Sequence, residues 1–414
     1  MSKPEFPLSR RRFLKGAGAA ALAAFLAGCG LPTDEATPPV TSSRVARPSL
    51  PSGTPTRTAT PTATQAEAFQ SPFDSPLQPT GTEPPPTLTP APTATPTPLP
   101  TPFPAGPPTR LGLFVAWYHP QIMHLIATGN VALLKTLEFD PAFLGDVRAR
   151  SPQTLIVGRV TLGQVDLSGS DMAAQARRAV EAVLPLALDS RRAGLVDAWE
   201  GYNEPVPGNG EQMRKLADLE AERVRLLAEK GLRAVVGNFG AGQPSLEQWP
   251  AFRPALEEAQ NQAGYLGLHE YSAPTIWFNT NRQPLDFGVH PGDEGWLTLR
   301  YRKVYRQFLM PWGLGLPLLI TECGVDGLVT GRPGPPGRGW QDFGGYWAEL
   351  GMGPDTAGNY IEQLAWYDGQ LQQDDYVRGA AVFAMTVFQE WGSYQLQGEA
   401  AQILQQYLSV HPVR

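Results

Sequence analysis

Cysteine is nearly absent from this chain: Cys29 and Cys323 are the only two in 414 residues. So few cannot make a disulfide framework, so stability must come from a buried core. Histidine is scarce as well. The five are His119, His124, His269, His290 and His411, with no His-x-His pair. That removes the usual ligand pattern of a metal-dependent hydrolase, and neither a metal nor a cofactor is expected. Charge is mild in both signs, 33 Lys+Arg against 39 Asp+Glu for a net of −6, which argues against nucleic acid as a partner. Beyond the N-terminal region no run of 18 or more apolar residues occurs, so no later segment reads as a membrane span.

The N-terminus reads as an address. Ser9-Arg10-Arg11-Arg12-Phe13-Leu14-Lys15 has the form of a twin-arginine export signal, and the apolar stretch 16–28 is too short to span a bilayer. It ends in Leu26-Ala27-Gly28-Cys29, which resembles the lipobox of bacterial lipoproteins. On that resemblance residues 1–29 are a signal peptide, Cys29 is lipidated, and the mature chain is anchored to the cell membrane with its catalytic domain extracytoplasmic. Residues 30–109 are a different material. Of the 79 residues from 31 to 109, 22 are Pro and 18 are Thr. Such a segment buries too little apolar surface to offset its ordering entropy and is expected to be a disordered linker. Extended at about 3.1 Å per residue, it would reach roughly 240 Å.

From Arg110 onward, short apolar runs alternate with helical patterns. Strands are predicted at 111–117, 131–137, 154–160, 195–202, 233–239, 265–270, 317–322 and 379–387. Helices are predicted at 171–188, 210–230, 254–263, 297–310, 356–375 and 400–410, with weaker signals at 122–128 and 141–150. Eight β-then-α units over residues 110–414 predict an α/β fold, a (β/α)8 TIM barrel. The competing doubly wound sheet usually carries a Gly-rich loop after its first strand; here that place holds Tyr118-His119-Pro120-Gln121.

Two glutamates close apolar runs, in Trp199-Glu200-Gly201-Tyr202-Asn203-Glu204-Pro205 and in Leu318-Leu319-Ile320-Thr321-Glu322-Cys323-Gly324. A carboxylate ending a buried strand is costly unless the strand opens into a polar site. By the strand count, Glu204 follows strand four and Glu322 ends strand seven. This pattern resembles the clan of retaining glycoside hydrolases that includes families 5 and 39, whose W-E-x-W-N-E-P signature is matched with Tyr202 in place of the second Trp. The resemblance spans roughly residues 111–410. It implies an enzyme cleaving O-glycosidic bonds of a β-linked glycan, with Glu204 as acid/base, Glu322 as nucleophile, and carbohydrate as partner.

The same resemblance gives Asn203 a contact to the sugar 2-hydroxyl. It gives His269 and Tyr271 the His-x-Tyr of strand six, with Tyr271 holding Glu322 and His269 meeting the sugar or the acid/base. Trp391, after strand eight, would lie under the reacting sugar, with Asn238 and Trp117 as further sugar contacts. Glu200, on the same strand face as Glu204, should point into the barrel one layer deeper. A carboxylate there needs a cation. Arg159 is the preferred partner and Lys135 the other available one. Cys323 reads as a packing residue. Two other functions remain to be weighed: a catalytically inactive glycan-binding lipoprotein on the same barrel, and a metal-dependent hydrolase, for which the ligand sets are missing.

Overall fold

A computed structural model describes residues 103–280 and 292–413. The export motif, Cys29 and nearly all of the Pro/Thr-rich segment lie outside these residues. Eight strands follow in chain order: β1 (Leu111–Val115), β2 (Leu133–Thr136), β3 (Leu155–Gly158), β4 (Ala198–Glu200), β5 (Ala234–Phe239), β6 (Tyr265–Ser272), β7 (Leu318–Val325) and β8 (Val377–Thr386). Neighbours pair in parallel and β8 closes onto β1, so the sheet is the closed barrel that the alternation predicts. The fold is a (β/α)8 TIM barrel. No helix among the described residues is long and apolar enough to cross a membrane.

The helices start where the sequence supplies caps. Asp140 accepts from the backbone N–H of Ala142 and Phe143, and Pro141 opens the helix Pro141–Arg150. Asn209 caps Gly210–Ala228 in the same way, through the N–H groups of Glu211 and Gln212. Each such cap contributes about 1 kcal/mol. Leu216, Leu219, Val224 and Leu227 of that helix are buried against the barrel, as their spacing requires.

The helix predicted at 356–375 ends earlier, at Leu371, and two helices start well away from their predicted positions. The one expected at 254–263 begins earlier, at Trp249, because Pro250 falls in the first turn, where its missing N–H costs nothing. The one expected at 297–310 begins later, at Tyr301, and passes into a π-helical turn, Tyr305–Leu309. Here Leu299 takes a left-handed φ of 62°. The buried Glu270 carboxylate accepts the N–H groups of Leu299 and Tyr301, fixing a turn where the pattern alone suggested helix.

Inside the barrel, side chains alternate inward along each strand and stack in layers. The lowest layer is apolar and contains Leu133, Val157, Ala198, Val235, Tyr265, Leu319 and Ala381. Two residues further along β2 and β4 stand Lys135 and Glu200, both buried. Phe114, Ala384 and Val387 lie above, toward the C-terminal strand ends. Cys323 faces the other way, in the shell between sheet and helices, with its Sγ 3.6 Å from the Ala381 carbonyl oxygen. Burial pushes its thiol pKa well up, which suits a packing residue.

Candidate active site

Glu204 sits four residues beyond Glu200, the last residue of β4, in a left-handed conformation with φ 45°. Its N–H donates to the Asn238 carbonyl oxygen at 3.0 Å. A non-glycine residue there stores about 1–3 kcal/mol of strain, which the surrounding turn must offset. Glu322 lies within β7, inside a register shift between Ile320 and Cys323. The next residue but one, Gly324, has φ 152°, and a side chain there would come 2.7 Å from the Tyr360 hydroxyl. Glycine is required at that bend.

The two carboxylates meet. One oxygen of Glu204, one of Glu322 and a ring nitrogen of His269 all lie within 4.8 Å of one another. His269 Nδ1 is 2.7 Å from Glu204 Oε1 and 3.6 Å from Glu322 Oε2. The Tyr271 hydroxyl donates to Glu322 Oε2 at 2.8 Å. Lys135 Nζ lies 2.9 Å from Glu322 Oε1, and an Arg159 guanidinium nitrogen 3.4 Å from the same oxygen. Burial alone would raise the Glu322 pKa, but His269, Lys135 and Arg159 outweigh it and hold the carboxyl well below the usual carboxylate range. Burial and the Glu322 charge push the Tyr271 hydroxyl far upward, so Tyr271 serves as a donor.

Above these groups is a cavity of about 200 Å³. Its polar wall includes Arg159, Asn203 and Asp326 beside the two glutamates, and its apolar wall includes Phe114, Phe383 and Trp391. Asn203 accepts a hydrogen bond from Arg159 through Oδ1. Trp391 packs edgewise on Phe383, ring centres 6.4 Å apart, as part of the cavity wall.

Three expectations are corrected. Glu200 does not pair with Arg159; Lys135 lies 2.9 Å from Glu200 Oε2, while Arg159 turns to Glu322 and Asn203. Lys135, on β2, rises from the layer that holds Glu200, whereas Arg159 lies beyond the end of β3, level with the carboxylates above. Asn238 is not among the residues lining this cavity; its side-chain amide donates to the Val235 carbonyl oxygen at 3.3 Å, and its own carbonyl serves the Glu204 backbone. Trp117 stays outside the cavity wall, 37% exposed and packed against Phe388. His269, only 2% exposed, meets Glu204, one of the two partners expected of it.

Asp326 was not anticipated. It follows Glu322 by four residues, at the start of the loop after β7, and its Oδ1 accepts from the Tyr394 hydroxyl at 2.7 Å and the Leu328 N–H at 2.8 Å. Burial, and then the charge of Glu204, push its pKa up to about 6. The sequence signal was a third acid just past the β7 glutamate.

Glu204, His269 and Glu322 also have spacing that would suit a divalent cation. The chemistry of the set fits one poorly: Lys135, Arg159 and Tyr271 already compensate Glu322, and two fixed cations oppose a third.

No family model matches the chain, and no curated protein does. Among solved structures it is similar to a GH128 (subgroup I) endo-beta-1,3-glucanase from Amycolatopsis mediterranei, at 11% identity over 72% of this chain and 99% of that one, with a TM-score of 0.41. A GH128 (subgroup II) endo-beta-1,3-glucanase from Sorangium cellulosum gives 17%, 73%, 99% and 0.41. A beta-glucuronidase from Ruminococcus gnavus gives 12% identity over 72% of this chain but only 50% of its own, with a TM-score of 0.44. At these values the barrel assignment rests on the strand order itself.

Proposed function

We propose that this chain is a retaining glycoside hydrolase acting on a β-linked glycan, with Glu322 as nucleophile and Glu204 as acid/base. One observation carries the reading: carboxylate oxygens of two residues 118 positions apart in the sequence lie within 4.8 Å over a cavity at the strand ends. Retaining enzymes hold their carboxyl groups about 5–5.5 Å apart, whereas inverting ones need about 6.5–9.5 Å to admit a water.

In the first step a Glu322 oxygen bonds to the anomeric carbon as the bond to the leaving oxygen breaks, and Glu204 gives that oxygen its proton. In the second, Glu204 takes a proton from water as the water oxygen bonds to the anomeric carbon and Glu322 departs. Tyr271, Lys135 and Arg159 keep Glu322 ionised for attack. His269 aims Glu204. Once Glu322 carries sugar its negative charge is gone, which favours the ionised form of Glu204 that the second step needs. Asn203 is suited to the 2-hydroxyl, and Trp391 to the flat C–H face of a sugar. With the export motif and the lipobox at Cys29, the same reading makes the chain a membrane-anchored enzyme whose substrate is extracytoplasmic.

Purified protein would be assayed on aryl β-glycosides, β-glucans, mannans, xylans and galactans, beside Glu204→Gln and Glu322→Gln. Activity lost in both variants is expected. With Glu322→Gly, added azide should yield a glycosyl azide of inverted configuration. Glycan binding with no turnover on any substrate would instead mark an inactive binding protein.

A further inference from the structure

At the opposite end of the barrel, where the strands begin, a second cavity of about 670 Å³ opens below the apolar plug. Arg110, Arg233 and Arg378 line it, with Gln153, Gln260 and Tyr265, and no carboxylate is among its lining residues. On a chain with net charge −6, three guanidinium groups around one space with no carboxylate among its described lining residues stand out. Arg233 is partly compensated: it donates to the Tyr265 hydroxyl at 2.8 Å and to the Asp197 carbonyl oxygen at 3.1 Å, and its guanidinium lies 3.7 Å from the Asp197 carboxylate. The other two have no ion-pair partner within 4 Å among the described residues. Arg110 also has its Nε buried without an acceptor.

The three converge. Arg233 lies over the Tyr265 ring at 5.4 Å, and Arg378 is close enough to lower the pKa of that hydroxyl against the burial that raises it. Strand pairing brings Arg110 beside β8, where its carbonyl accepts the Ala380 N–H at 2.7 Å. Like charges gathered this way repel, and the buried Arg110 Nε lacks an acceptor that would offset its desolvation. An oxyanion relieves both, and planar guanidinium forks match its paired oxygens.

We propose that this basal cavity binds a phosphate monoester. Two arginines without ion-pair partners, Arg110 half-buried and Arg378 exposed, favour a charge near −2, which a phosphate monoester carries at neutral pH and a single carboxylate does not. The glutamines and Tyr265 would serve the group that bears the phosphate. This site is independent of the carboxylate pair at the other end.

Calorimetric titration of the whole chain at low salt tests it, with inorganic phosphate and glycerol 1-phosphate as probes. Vesicles of phosphatidylcholine with and without phosphatidic acid are assayed by co-sedimentation. Saturable phosphate binding is expected, weakened about tenfold or more in Arg110→Gln and in Arg378→Gln, equivalent to about 1.4 kcal/mol. It should be unchanged in Arg177→Gln, an exposed arginine elsewhere on the surface. Soluble probes binding without vesicles identifies a free phosphate ester; vesicles binding only with phosphatidic acid identifies a lipid headgroup. No saturable binding of any probe, or binding weakened equally by all three substitutions, would overturn the proposal. Circular dichroism of the variants excludes loss of fold as the cause.

Discussion

Lys135 and Glu322 form a buried ion pair at 2.9 Å, and the same ammonium stands 2.9 Å from Glu200. Neither Glu200 oxygen receives a directed hydrogen bond, so among the described residues Lys135 is its whole compensation. On the proposed mechanism, one cation therefore serves a carboxylate that reacts and one that does not. When Glu322 becomes glycosylated, Lys135 keeps Glu200 as its counter-charge, and the floor of the site does not swing positive beneath a developing oxocarbenium ion. Lys135→Met should destabilise the fold by about 3–5 kcal/mol, the usual cost of stripping a partner from a buried charge. Adding Glu200→Gln should recover part of that stability in denaturant titrations. It should not recover kcat, since Glu322 still lacks its cation. Full recovery of both would show that Lys135 serves Glu200 alone.

Asp326 predicts a feature in the pH profile. Its pKa, raised to about 6 by burial and by the Glu204 charge, means it ionises within the working range of such an enzyme. Below that value Asp326 is neutral; above it, Asp326 adds a negative charge to the cavity wall. The logarithm of kcat/KM should therefore bend near pH 6 in the parent protein, and the bend should vanish in Asp326→Asn. A bend that persists unchanged in the variant would belong to another group.

Much of this was legible beforehand, because barrel periodicity writes itself into the chain. Continuous apolar runs located all eight strands, since strands buried on both faces carry no alternation. The acidic pair was legible because Glu204 and Glu322 interrupt that apolar pattern at strand ends. Pairing inside the barrel was not. Choosing Arg159 over Lys135 for Glu200 required depth along the axis, and depth depends on strand stagger, which residue types do not encode. Asn238 looked like a strand-end polar contact, but its left-handed φ of 48° turns the side chain back onto its own strand. The late start of the helix at Tyr301 depends on a carboxylate from β6, a contact 31 residues away in sequence.

That carboxylate makes a stability prediction. Burial pushes the Glu270 pKa from 4.5 up to about 7, despite hydrogen bonds from Tyr301, Tyr367 and Leu299. A folded-state value above the unfolded one means that the folded protein binds more protons between these two pH values. The contribution of Glu270 is thus fully present below about pH 4.5 and is lost as pH rises through 7, by about 3 kcal/mol in all. Urea unfolding at several pH values should show that decline. Glu270→Gln, which never ionises, should flatten it, though its absolute stability will be lower because an amide cannot accept on both sides. An unchanged slope in the variant would assign the decline elsewhere.

Tyr271 offers the cleanest separation of chemistry from folding. Its hydroxyl bonds Glu322 Oε2 at 2.8 Å, while its ring packs against Phe383 with centres 6.1 Å apart. Tyr271→Phe keeps the ring and removes one charge-assisted hydrogen bond, worth about 1.5–3 kcal/mol. Glu322, the proposed nucleophile, would then be held by Lys135 and Arg159 at Oε1, with only His269 at 3.6 Å left beside Oε2, and freer to rotate away from the anomeric carbon. The expected result is a fall in kcat of about 10- to 100-fold. Substrate binding should weaken little, because no sugar contact is deleted. A substrate with a good aryl leaving group will separate the steps: a slower burst of released phenol means slower formation of the glycosyl-enzyme, the step in which Glu322 attacks. An unaltered burst with an unaltered kcat would mean that the Tyr271 bond positions nothing the reaction uses.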